Sequence, residues 1–232
     1  LRHPLFYDKL DPNAQYLLEE HFNFYHKSNE HQRKLFDHRV VNFIAAKEFY
    51  GREGLIIDEP MKLLIAGTAV MLSFGFDNYK FEMFDKILIY PEDYYSQLTQ
   101  LQHKGETNPG MGIMAFSWQD FEEGLKIKDD NLHLGLHEFA HALHFGFLRE
   151  NSTEAYEFQN NFDQMINLMD SESIKNKLIQ SEYFRSYAFE NKFEFFAIAV
   201  EHFYESPYSF LEKNPELFKV IGDLLQIGNI MN

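Results

Sequence analysis

The chain has 232 residues, 45% hydrophobic and 17% aromatic, enough apolar surface for a self-sufficient core and too much for a disordered chain; one domain over 1–232 is expected. Thirty-six acidic against 21 basic residues give a formal charge of −15, which repels a phosphate backbone and argues against nucleic acid as a partner. With no Cys, disulfides are excluded, metal chemistry is confined to His, Asp, Glu and Tyr, and a reducing, cytoplasmic setting is expected.

The sequence opens LRHPLF without an initiator Met, which leaves open a preceding targeting or membrane segment. Over residues 11–50, Leu17, Leu18, Phe22, Phe24 and Tyr25, then Phe36, Val40, Phe43 and Ile44, recur at helical spacing and predict two amphipathic helices. Asp58 is placed to cap a third helix with Pro60 in its first turn. That helix carries the longest apolar run, 61–76, which is interrupted by Lys62, Gly67 and Thr68 and falls short of the roughly 20 residues a bilayer needs. It is expected in the core, with no membrane span in the numbered chain.

From about residue 80 the pattern changes to short β-prone runs, KILIYPEDYY (86–95) and GIMAFSW (112–118). The intervening SQLTQLQHKGETNPGM (96–111) contains two Gly and a Pro and is expected to be a surface loop. GIMAFSW is short and isolated enough to be an edge strand on which an extended peptide could pair. After KDDN (128–131) the pattern is helical to the end, with breaks near Asn151–Thr153 and at ESP (205–207). The expected fold class is α+β, mainly helical with a small mixed β-sheet.

NLHLGLHEFAHALHFGF (131–147) holds the chemistry. His137 and His141, at i and i+4, lie one turn apart on one helix face and can aim at a common point, with Glu138 beside it. This is the H-E-x-x-H pattern, in which two neutral His bind Zn²⁺ and the Glu acts as general base toward water. A solvated His/Glu face is the plain alternative, and the flanking Leu134, Leu136, Phe139, Ala140, Ala142, Leu143 and Phe145 argue against it. A catalytic zinc needs a third protein ligand, and Glu190, Glu194 and Glu201 share a stripe of the downstream helical run. Glu194 is preferred because Phe193, Phe195 and Phe196 flank it and Ala197 allows close helix approach. Glu190 and Glu201 are expected to support a ligand or face solvent, His133 and His144 to make hydrogen bonds or support a ligand rather than bind metal, and His202 to be partly exposed.

These motifs resemble a known family. HEFAHAL (137–143), GIMAFSW, FEFFAIAVEHFYESP (193–207) and RVVNFIAAKEFYGREGLIIDEPMKLLIAGTAVML (39–72) together resemble the Mlc titration factor A family of zinc-dependent peptidases, over about residues 30–220. The resemblance implies a zincin-like metallopeptidase domain of the gluzincin type, similar to the anthrax lethal factor protease domain. It implies Zn²⁺ held by His137, His141 and Glu194, the Glu that opens EFFA, with Glu138 as general base. It also places Tyr187, seven residues before the ligand Glu, where a hydroxyl could stabilise an oxyanion. The implied partner is a peptide or protein substrate. The alternative is a binding protein that sequesters a transcriptional regulator, as the namesake does with a repressor of glucose uptake. One departure stands out, His144, where the family usually has Asp.

Overall fold

The computed structural model describes residues 7–96 and 99–227. Capping side chains set the first helices. Asp11 accepts the amides of Asn13 and Ala14 at the start of α1 (Pro12–His21), and Asn29 and Gln32 form a reciprocal capping box on α3 (Glu30–Ala45). Between them the chain turns at Phe22, whose backbone is extended, and makes the short α2 (Asn23–Lys27). The region expected to hold two helices therefore holds three, because buried Phe22, Phe24 and Tyr25 pack inward only if the chain bends there.

After β1 (Glu48–Gly51), Asp58 caps α4 (Glu59–Leu72) by accepting the Met61 amide at 2.9 Å, with Pro60 in the first turn as predicted. Every residue of α4 from Leu63 to Leu72 is buried, so it is a core helix, ending four residues earlier than the apolar run. Among the described residues no helix is long and apolar enough to cross a membrane.

The strands β2 (Lys86–Tyr90), β3 (Tyr94–Ser96), β4 (Leu101–His103), β5 (Gly105–Asn108) and β6 (Ile113–Ser117) follow. The main sheet has the order β1-β2-β6-β5, parallel from β1 to β6 and antiparallel between β6 and β5, while β3 and β4 form a separate hairpin. Two expectations are corrected here. The stretch 96–111 is not simply a loop, since it supplies β4 and β5, and GIMAFSW is not an edge strand, since β6 pairs on both sides. The sequence GETN has low strand propensity, and its pairing is imposed by the register of β6: Gly105 opposite Phe116, Asn108 opposite Ile113.

The rest is helical: α5 (Trp118–Lys126), α6 (Leu134–Arg149), α7 (Thr153–Asp170), α8 (Glu172–Gln180), a 3-10 turn (Ser186–Phe189), α9 (Lys192–Glu205), α10 (Pro207–Lys213) and α11 (Pro215–Leu224). The breaks at 151–153 and 205–207 fall where predicted, with Ser152 capping α7 and Pro207 opening α10. Further breaks occur at Ser171 and across 181–191.

The inner face of the sheet (Ile87, Ile89, Met114, Phe116) is buried, and Phe139 of α6 meets Phe116 at 5.6 Å and Phe81 at 5.2 Å between ring centres. α6 thus lies beneath the sheet, with α9 packed along it. The fold is α+β and mainly helical, with a small mixed sheet. Removing the α4 cap by Asp58→Ala should cost about 1 kcal/mol, read as a lower urea midpoint with an unchanged slope.

Candidate metal centre

The α6 helix begins at His133, whose Nδ1 accepts the Leu136 amide at 3.3 Å; this is the hydrogen-bonding role expected of it. One turn later the Nε2 atoms of His137 and His141 face each other at 3.1 Å. Glu194 reaches the same point from α9, with Oε2 3.1 Å from His137 Nε2 and Oε1 3.5 Å from His141 Nε2. Its position is set by Asn191, which caps α9 by accepting the amides of Phe193 and Glu194 at 2.9 and 3.1 Å.

These spacings fit a cation. Tetrahedral Zn²⁺ with bonds of about 2.0–2.2 Å separates its ligand atoms by roughly 3.3–3.5 Å. Glu194 Oε2 is buried and, although close to His137 Nε2, receives no well-directed hydrogen bond. Among the described residues, His137, His141 and Glu194 form the group able to share a metal ion. Burial opposes charge on His137, but the carboxylates of Glu194 and Glu201 outweigh it and raise its pKa to about 10. Burial likewise opposes the charged form of Glu194, yet the two imidazoles hold it well below the usual carboxylate range.

The other carboxylates of the stripe part company. Glu190 is exposed. Glu201, only 1% exposed, stands behind His137, with Oε1 2.7 Å from Nδ1, where it fixes the tautomer that leaves Nε2 for a metal. Arg185 donates to both Glu201 oxygens, at 2.9 and 2.7 Å, and the His133 amide donates to Oε2 at 3.1 Å. Burial would raise the Glu201 pKa, and His137 with Arg185 keeps it lowered.

Glu138 is buried beside the pair, held from the sheet. The Thr107 hydroxyl of β5 lies 2.8 Å from its Oε2 and 3.1 Å from its backbone carbonyl. Gly105, on the same face of β5, leaves the necessary space, for a Cβ there would lie 2.6 Å from Glu138 Oε1. Tyr187 is 43% exposed, with its ring centre 6.4 Å from that of His137. Burial and then Glu194 and Glu190 push its hydroxyl up to about 12.

Two other histidines pack among aromatic rings. His144 is buried against Phe162 and Phe193, ring centres 4.4 and 4.9 Å away, and its Nδ1 makes no hydrogen bond, so the hydrogen-bonding role expected of it is not seen at that atom. His202 is not partly exposed: it is 4% exposed, against Tyr183 and Phe184, because α10 turns back at Pro207 and Phe210 covers it. Thr107, Gly105 and Arg185 carried no signal in the sequence. Asn191 did, since Asn three residues before Glu at the start of an apolar run marks a helix N-terminus.

Gly105→Ala should displace the Glu138 carboxylate and lower any hydrolytic kcat by tenfold or more, an order-of-magnitude expectation, with metal content unchanged by elemental analysis. With a pKa of about 10, His137 holds a proton that a cation must displace. The apparent zinc affinity should therefore climb about tenfold per pH unit from about pH 7 and level off as pH passes the His137 pKa, measured by chelator competition.

A protein of Synechocystis sp. (strain ATCC 27184 / PCC 6803 / Kazusa), described as uncharacterized protein slr2042, is 24% identical over 245 residues, covering 98% of this chain and 88% of its own length. The family model for the glucose-regulated metallo-peptidase M90 matches residues 3–225, a span that takes in α6, the 3-10 turn and α9 with every side chain of the site. The chain belongs to that metallopeptidase family, the one of Mlc titration factor A.

Proposed function

We propose that this protein is a zinc-dependent peptidase in which His137, His141 and Glu194 hold Zn²⁺, Glu138 is the general base and Tyr187 assists, with residues 1–232 acting as one catalytic domain. The observation that carries the proposal is the meeting of two imidazole nitrogens and the two oxygens of one carboxylate, at contacts of 3.1–3.5 Å, beside a separately anchored carboxylate. When bound, zinc acts as a Lewis acid that polarises a carbonyl and brings the pKa of water from about 15.7 toward 7.

The remaining work belongs to the chain. Glu138 takes the proton of the attacking water and later delivers it to the leaving amine. The Thr107 hydroxyl at Oε2 takes one of the acceptor sites of this carboxylate and leaves the others for that transfer. Tyr187, with its pKa near 12, keeps its proton at neutral pH and can donate a hydrogen bond to the developing oxyanion. β5, the terminal strand of the sheet on this side among the described residues, takes the role first expected of GIMAFSW: a peptide laid along its outer edge is held by main-chain pairing next to Glu138. The substrate is accordingly an extended peptide or a mobile protein segment, and the Cys-free composition suits a reducing compartment such as the cytoplasm. Sequestration of a transcriptional regulator without hydrolysis is the lesser reading, because a pure binder has no use for a base anchored from β5.

Two variants test the assignment. Glu138→Gln should retain zinc and lower peptide hydrolysis by about 10²–10⁴-fold, because it removes the base and no ligand; wild-type turnover by this variant would sink the proposal. Glu194→Ala should lose zinc to a chelator far more readily than Glu190→Ala, and the reverse order would remove Glu194 from the ligand set.

A further inference from the structure

Arg185 belongs to none of the motifs that identify the site, yet its contacts converge on it. Nη1 donates to Glu201 Oε2 at 2.9 Å and to the carbonyl of Asn131 at 2.7 Å, while Nη2 donates to Glu201 Oε1 at 2.7 Å. The same two carboxylate oxygens accept from His137 Nδ1 at 2.7 Å and from the His133 amide at 3.1 Å. Four donors thus saturate one buried carboxylate, which joins the segment entering α6, the first imidazole of α6, and α9.

Arg185 also acts through its backbone. Its carbonyl accepts the Ala188 amide at 2.9 Å and so opens the 3-10 turn in which Tyr187 is the second residue. The side chain that grips Glu201 is therefore two residues from the hydroxyl that faces the site.

Resting on the metallopeptidase reading above, we infer that Arg185 is a positioning residue: by clamping Glu201 it fixes the plane of the His137 ring, and by opening the turn it seats Tyr187 on the same frame. The planar fork of Arg makes the two parallel bonds that orient a carboxylate. A Lys ammonium is a point charge that can neutralise Glu201 without fixing its plane. An ion pair that merely joined α9 to the preceding segment would affect stability and leave the metal untouched in the folded protein.

The test uses the full chain as wild type, Arg185→Gln, Arg185→Lys, Glu201→Gln and the double variant Arg185→Gln/Glu201→Gln, each well below its melting temperature. Zinc affinity is measured by competition with a chromogenic chelator, and kcat and KM at saturating zinc. Arg185→Gln should weaken zinc binding about 10–100-fold, the range for residues that orient a metal ligand. Arg185→Lys should recover part of that loss, and the double variant should bind no more weakly than Glu201→Gln alone, because one residue acts through the other. At saturating zinc, kcat should fall in Arg185→Gln while KM holds. Wild-type zinc affinity in folded Arg185→Gln, or losses that add in the double variant, would overturn the inference. Should Arg185→Gln not fold, Arg185→Lys decides: it supports the inference by binding zinc more weakly than wild type and overturns it by binding equally. A wild-type protein that takes up no zinc would overturn the metallopeptidase reading itself and the role of Arg185 with it.

Discussion

Two imidazole nitrogens 3.1 Å apart, with a carboxylate across from both, are an unstable arrangement in a protein interior unless a proton or a cation lies among them. The chain assembles this arrangement from residues more than 50 positions apart, and the packing of α6 on α9 holds it. The apolar residues around these groups are the means: Phe139 ties α6 to the sheet, while Phe195, Phe196, Ala197 and Ile198 bury α9 behind Glu194. The free energy released by that burial, on the order of 1.5–3 kcal/mol for each large side chain, offsets the cost of bringing the polar groups together.

Hydrogen-bond satisfaction is distributed unevenly over the two carboxylates of α9 that meet His137. Glu201 has every oxygen engaged by donors that Arg185, His137 and the backbone supply, so it can only be an ionised acceptor. Glu194, one side of the ring away, keeps Oε2 without a directed partner. A saturated outer carboxylate and an unsaturated inner one suit a group that could hold a metal ion: the first orients the imidazole, and the second keeps an oxygen free to meet a cation.

How much of this was legible in the sequence follows the range of the interactions. The pairing of His137 with His141 is a property of one helix turn and was plain in HEFAH. The caps at Asp58 and Asn191 are equally local. The choice of Glu194 over Glu190 and Glu201 is not fixed by spacing, since all three share a stripe; its apolar flanks favour it, the family resemblance implies the same residue, and the geometry brings Glu194 to the imidazoles and Glu201 behind one of them. β5 was missed because Gly105, Glu106, Thr107 and Asn108 have little intrinsic reason to form a strand. Their conformation comes from pairing with β6, and the absence of a side chain at Gly105 matters only because Glu138 lies against it. His202 was misjudged for the same reason, as a helix pattern does not show which later helix folds back over it.

The departure at His144 can be understood on these terms. It shares a face of α6 with His137 and His141 and enters a cluster formed by Phe162 of α7 and Phe193 of α9. Burial, with Lys192 and His141 nearby, holds its pKa down near 4, so the ring is neutral and packs as an aromatic. Phe193 is the residue immediately before Glu194, and both amides are gathered by the Asn191 cap. The His144 ring therefore bears on the first turn of α9 through Phe193. An Asp at this position would be too short to reach Phe193 and would carry charge into an aromatic cluster, whereas the neutral His144 ring supports the first turn of α9 by packing.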